Sequence, residues 1–110
     1  AQQRDTWHRG GNWEIWLDAA KVALPLSCRQ RLKGDRFRPL GMSGSKKLKD
    51  YLIDRKIPRE KRDLIPLLCD QQGIVAVVGH QQAEDTKITD NTTIALRVTF
   101  RQTRQSPLEA

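Results

Sequence analysis

A chain of 110 residues with 37% hydrophobic residues holds apolar material for one modest core, which excludes a pair of well-packed domains. A formal charge of +7 and a pI near 9.9 point to an anionic partner such as nucleic acid. No apolar run approaches the roughly 20 residues of a membrane helix, no signal-peptide pattern opens the chain, and Cys28 and Cys69 have no CxxC or CxxxH neighbour to build a zinc site. The expectation is a cytoplasmic, metal-free domain in which both cysteines are small buried apolar residues.

Residues 1–12 mix charge, glutamine and a Gly10-Gly11 pair without periodicity and read as a linker; the domain proper is expected over 13–101. Trp13, Ile15 and Leu17 alternate with Glu14, Trp16 and Asp18, the period of a strand whose two faces differ. Trp13 and Trp16 are read as core and edge packing. From Ser27 to Leu32 a second strand is expected, with Cys28, Gln30 and Leu32 on an apolar-leaning face and Ser27, Arg29 and Arg31 on a basic one. Lys33-Gly34-Asp35 forms a turn, Arg36 to Arg38 resumes an extended course, and Pro39 stops it.

The Gly41–Ser45 loop precedes the one strong helix signal, Ser45 to about Arg55, with Ser43 or Ser45 as N-cap. Leu48, Tyr51 and Leu52 make its buried stripe, and Lys46, Lys47 and Lys49 lie off it. Ile57-Pro58 ends the helix, and Arg59 to Asp63 suits a short helical turn with Pro58 at its first position. Ile65 to Cys69, Gly73 to Val78 and Thr93 to Phe100 are strands. Asp70 to Gly73 is the hairpin turn between the first two, and the Ile74–Val78 run, apolar on both faces, is the central strand. Residues 102–110 read as a flexible tail. This order predicts an α+β domain: a small, largely antiparallel sheet packed against one main helix and a short helical turn.

The basic charge is concentrated. Between Arg29 and Arg62 stand 13 Lys and Arg against 4 acids, a net +9, while the rest of the chain carries −2. A phosphate-binding face needs such a concentration. The GMSGSKK loop does not meet the G-x-x-x-x-G-K-[ST] pattern of a triphosphate-binding loop, because Ser45 and Lys46 follow Gly44 and no apolar strand leads in. What remains is a helix start with two glycines and lysines, able to hold a single phosphate. His8, His80 and the Glu84-Asp85 pair have no partner at a catalytic spacing, so no catalytic or metal residue is expected.

The run Gly34-Asp35-Arg36-Phe37-Arg38-Pro39-Leu40-Gly41, then Ser45-Lys46-Lys47-Leu48-Lys49, Ile57-Pro58, Arg62 and Pro66-Leu67-Leu68, resembles the C-terminal domain of tRNA(Ile)-lysidine synthetase. The resemblance is strongest over about 29–79 and looser over about 17–100. It implies a parent ligase that uses ATP, with magnesium, to adenylate the wobble cytidine of the CAU-anticodon isoleucine tRNA before lysine displaces AMP. That chemistry belongs to an N-terminal PP-loop domain with an SGGxDS signature, which this chain lacks. The implied role here is to hold the tRNA body near its acceptor stem. The implied partners are tRNA(Ile) and the catalytic domain of the same polypeptide, and the parent is a candidate homodimer. The fold also resembles a module of the phenylalanyl-tRNA synthetase beta chain. On this reading Arg29, Arg31, Arg36, Arg38, Lys46, Lys47 and Lys49 are the leading RNA-binding candidates, followed by Arg55, Lys56, Arg59 and Arg62. Arg36 and Arg62, at recurrent family positions, could instead hold the fold through Asp35 or Asp63. The rival readings are a protein-interaction or dimerisation module, which an apolar patch at Trp7, Trp13 or Trp16 would favour, and a stand-alone nucleic-acid-binding domain.

Overall fold

The computed structural model describes residues 12–101. Residues 1–11 of the linker expected at 1–12, with Trp7 and His8, and the tail expected at 102–110 lie outside the described residues. In chain order the elements are β1 (Asn12–Asp18), β2 (Ser27–Arg29), β3 (Arg36–Phe37), β4 (Lys46–Lys47), α1 (Leu48–Asp54), α2 (Arg59–Arg62), β5 (Leu67–Cys69), β6 (Ile74–Val77), β7 (Gln81–Gln82) and β8 (Ala95–Arg101). Every ladder is antiparallel, as the α+β reading anticipates. The strands form three separate sheets: a four-stranded one in the order β2-β5-β6-β7, and the pairs β1-β8 and β3-β4.

Side-chain alternation along β5 explains the layering. Leu67 and Cys69 point to one face of the central sheet and Leu68 to the other. On the first face they join Phe37, Leu48, Tyr51, Leu52, Ile57, Val77 and Ala83 in a core beneath α1 and the β3-β4 hairpin. On the second, Leu68, Val75, Ala76 and Val78 pack with Trp13, Ile15, Leu17 and Val22 beneath the β1-β8 ribbon. Between Leu68 and Cys69 the partner on β6 jumps from Ala76 to Ile74. Val75 is thus an extra residue in the ladder, and such a bulge lets Val75 and Ala76 both serve the second core. The expected hairpin turn closes on Asp70, whose carboxylate accepts from the Gln72 and Gly73 N–H groups at 2.8 and 3.1 Å.

Several boundaries depart from expectation, each for a pairing reason. Asn12 is not linker, because it pairs with Arg101 at the end of β1. The second strand stops at Arg29, and its faces are the reverse of those expected: Arg29 turns partly inward to Asp35, while Cys28 and Leu32 are exposed. Cys69 is buried as expected, and that burial pushes its thiol up, with the Arg29 guanidinium opposing. The main helix begins at Leu48 rather than Ser45, since Lys46 and Lys47 pair with Phe37 and Arg36 and the Leu48 N–H donates to the Asp35 carbonyl at 2.9 Å. Lys47 is the extended N-cap, no side chain caps the helix, and Ser43 and Ser45 have no such role.

The C-terminal end of α1 is a Schellman turn. The Ile57 N–H donates to the Leu52 carbonyl and the Lys56 N–H to the Ile53 carbonyl, with Lys56 left-handed at φ 59° and Ile57 and Leu52 together in the first core. Lysine occupies a position that glycine usually fills. Pro58 sits at the N-cap of α2, one position before the expected one.

Candidate nucleic-acid interface

Opposed residues of an antiparallel ladder project to the same side. In the β3-β4 hairpin, Phe37 faces Lys46 and Arg36 faces Lys47. Phe37 is buried in the first core, so Lys46 is drawn inward with it and Arg36 and Lys47 are turned out. The Leu48–Asp35 backbone bond holds this outward pair beside the 33–35 turn, where the Asp35 N–H donates to the Leu32 carbonyl and Gly34 has φ 89°. A side chain at Gly34 would be strained there. The result is a cleft of about 560 Å³ lined by Arg31, Lys33, Arg36, Lys47 and Lys49, with Asp35 and Asp63 as the acids and Leu32 and Leu48 as apolar wall. Arg36 also lines a smaller hollow of about 250 Å³ with Lys21, Arg38, Asp70 and Asp85.

The eleven candidate cations divide by what holds them. Arg29 makes a bidentate pair with Asp35, Nη1 to Oδ2 at 2.9 Å and Nη2 to Oδ1 at 3.0 Å, and Asp35 also accepts the Leu32 N–H at 2.7 Å. The Arg29 hydrogen bonds and that N–H hold the Asp35 carboxyl below the usual carboxylate range, and Asp35 in turn raises the Arg29 pKa. Arg31 donates to Asp63, Arg38 to Asp85 and Lys46 to Asp54, each at 2.6 Å. Arg36 and Arg62 do not use Asp35 or Asp63. Arg36 donates to the Ser45 hydroxyl and carbonyl, and Arg62 to the Ile57 carbonyl at 3.0 Å, where it braces the turn between the helices. Arg55 lies 5.6 Å over the Tyr51 ring, whose hydroxyl donates to Gln81 and is pushed up to about 12 by burial. Lys47, Lys49, Lys56 and Arg59 have no carboxylate within ion-pair distance among the described residues.

The cleft therefore gathers Arg31, Arg36, Lys47 and Lys49 from the candidates and adds Lys33, which the choice of sites passed over although it lies in the charged run. Its place next to the Gly34 turn was the available signal. Arg29, Arg38, Lys46, Arg55, Lys56, Arg59 and Arg62 do not line it. The phosphate-cradle reading of the 41–45 loop fails on geometry, since that loop runs into β4 rather than a helix. It is pinned instead by Glu84, which accepts the Gly41 N–H at 2.7 Å and whose carboxyl is held below its ordinary value by Lys87 and that N–H. On the far side Trp13 is buried, and Trp16 is half exposed with Arg97 5.7 Å over its ring and its Nε1 donating to Glu14.

Residues 26–102 match the family described as the TilS substrate C-terminal domain. The chain belongs to that family. It is 43% identical over 90 residues to the tRNA(Ile)-lysidine synthase of Caldanaerobacter subterraneus subsp. tengcongensis and 44% identical over 86 residues to that of Dehalococcoides mccartyi. These alignments cover 82% and 78% of this chain but 19% and 18% of the relatives. The chain thus spans about a fifth of their length. The crystal structure of a TilS C-terminal domain superposes with a TM-score of 0.70 at 33% identity, covering 96% of this chain and 79% of that one. An N-terminal fragment of the phenylalanyl-tRNA synthetase beta-subunit from Pyrococcus horikoshii superposes at 0.68 and 22% identity over 83% of this chain and 28% of its own, which shows a shared fold alone. This TilS C-terminal domain includes β1, which lies before the matched range yet supplies Trp13, Ile15 and Leu17 to the second core.

Proposed function

We propose that this domain grips the body of tRNA(Ile), at the acceptor stem, for a tRNA(Ile)-lysidine synthase whose catalytic domain lies elsewhere on the same polypeptide. The observation that carries the reading is the convergence of Arg31, Lys33, Arg36, Lys47 and Lys49 on one cleft. Duplex RNA offers side chains little in its narrow major groove and is held by shape, phosphates and 2′-hydroxyls, for which a fixed cluster of cations is the required chemistry. Arg36, held by Ser45, is set in place before RNA arrives, and Lys47 and Lys49 stand ready as mobile point charges.

The described residues do not fit ATP with magnesium. The 41–45 loop leads into a strand, and no group of three or more His, Cys, Asp or Glu is assembled among the described residues. In this reading nucleotide activation belongs to the catalytic domain, and the whole enzyme acts in the cytoplasm. No helix among the described residues is long and apolar enough to cross a membrane.

Filter binding of a tRNA(Ile) transcript over a salt series tests the reading. Affinity is expected to fall steeply, with log K linear in log salt and a slope of about one per phosphate neutralised. Absence of binding at low salt overturns it.

A further inference from the structure

The ion pairs of the basic face are not built alike. In the Arg29–Asp35 pair the acid is the sheltered member, with a side chain only 13% exposed and a backbone N–H bonded to it, as a structural brace should be. In the other three the order is reversed. Asp63, Asp85 and Asp54 are 71%, 62% and 62% exposed, while their partners Arg31, Arg38 and Lys46 are 35% exposed or less. In each of these pairs the carboxylate is the more exposed member and stays in contact with its cation at 2.6 Å. One such acid, Asp63, lines the same cleft as Arg31, Lys33, Arg36, Lys47 and Lys49.

We propose that Asp63 is an affinity-limiting cap: it occupies the Arg31 guanidinium until an RNA phosphate displaces it. Asp85 on Arg38 and Asp54 on Lys46 act the same way on neighbouring cations. This inference rests on the RNA reading of the cleft. An exposed ion pair contributes little to folding, so these acids are poorly explained as braces. A negative charge close to the phosphate path has a definite effect on binding, because each phosphate arriving there meets repulsion and must replace a ready-made partner. Polyanions that approach loosely cannot replace the carboxylate and are rejected. A duplex seated in the cleft supplies phosphate oxygens where the carboxylate stood and keeps Arg31 paired. The cap thus suppresses indiscriminate binding by a domain carrying a local charge of +9 between Arg29 and Arg62.

The test compares Asp63→Asn with Asp90→Asn in the full 110-residue chain. Asp90 is an exposed acid in the loop before β8 and has no ion-pair partner among the described residues, so its substitution makes the same change in net charge away from the cleft. Both variants are expected to melt with the wild type. Asp63→Asn is expected to bind a tRNA(Ile) transcript about fivefold more tightly and an unrelated RNA duplex more tightly still, narrowing the ratio between them, whereas Asp90→Asn shifts either by less than about twofold. If wild type binds tRNA but Asp63→Asn equals Asp90→Asn or binds more weakly, the cap is overturned and the RNA reading stands. If wild type binds no RNA, the RNA reading fails and the cap fails with it.

Discussion

The two sides of the central sheet are built on different principles. Beneath the β1-β8 ribbon, two seven-residue strands pair in unbroken register from Asn12↔Arg101 to Asp18↔Ala95, and their alternate residues seal the second core. On the α1 side, a two-residue hairpin, a seven-residue helix and a four-residue helix are tied together by single side chains: Arg29 to Asp35, Arg62 to the Ile57 carbonyl, Glu84 to the Gly41 N–H. One side gains its stability from repetitive burial. The other spends its polar groups on holding irregular backbone in place, and that irregularity is what turns Arg36 and Lys47 outward together.

This contrast predicts a division of labour that mutation can break. The largest effect is expected at Trp13, buried under the ribbon and 5.9 Å from the Phe100 ring centroid. Trp13→Ala should lower unfolding stability by about 3–5 kcal/mol in urea denaturation while the remaining folded fraction keeps its RNA affinity. Next comes Asp35→Asn, which removes the acceptor for Arg29 and the Leu32 N–H and should cost about 1–2 kcal/mol at pH 7. Because the folded Asp35 carboxyl titrates below its unfolded value, this contribution is complete above the ordinary Asp range and disappears as pH falls through the folded value. Denaturation at several pH values should therefore show wild type and Asp35→Asn converging in acid; a gap that widens in acid would contradict the brace.

A double Lys47→Ala/Lys49→Ala variant should behave in the opposite way to Trp13→Ala. Its stability should change by no more than about 0.5 kcal/mol, while tRNA affinity drops about tenfold and the salt slope loses about two. The smallest effect tests the left-handed lysine: Lys56→Gly should stabilise the domain by about 0.5–1 kcal/mol, read as a higher melting temperature. A loss of stability would mean that the Lys56 side chain contributes more than its backbone costs.

The ribbon side was largely legible from sequence because its signal is periodic. Trp13-Ile15-Leu17 and Leu96-Val98-Phe100 alternate over a full strand each, and the two-faced apolar run at Ile74–Val77 marks a buried strand. The α1 side was legible in content but not in boundaries. The Leu48-Tyr51-Leu52 stripe is there, yet nothing local says that Lys46 and Lys47 pair with Phe37 and Arg36, since a two-residue ladder has no periodicity to read. β7, at Gln81–Gln82, escaped for the same reason. The charge map marked the stretch of chain whose cations line the cleft. Which cations share the cleft was set by long-range partners such as Asp63 and Asp85, whose contacts no spacing rule encodes.

The pairing of Asn12 with Arg101 has a consequence for how the domain is mounted. Facing residues in an antiparallel ladder stand about 4.5–5.5 Å apart, so the polypeptide enters and leaves at a single spot. A unit whose two described ends meet in this way can be transplanted into the loop of a host protein without stretching either side of the graft.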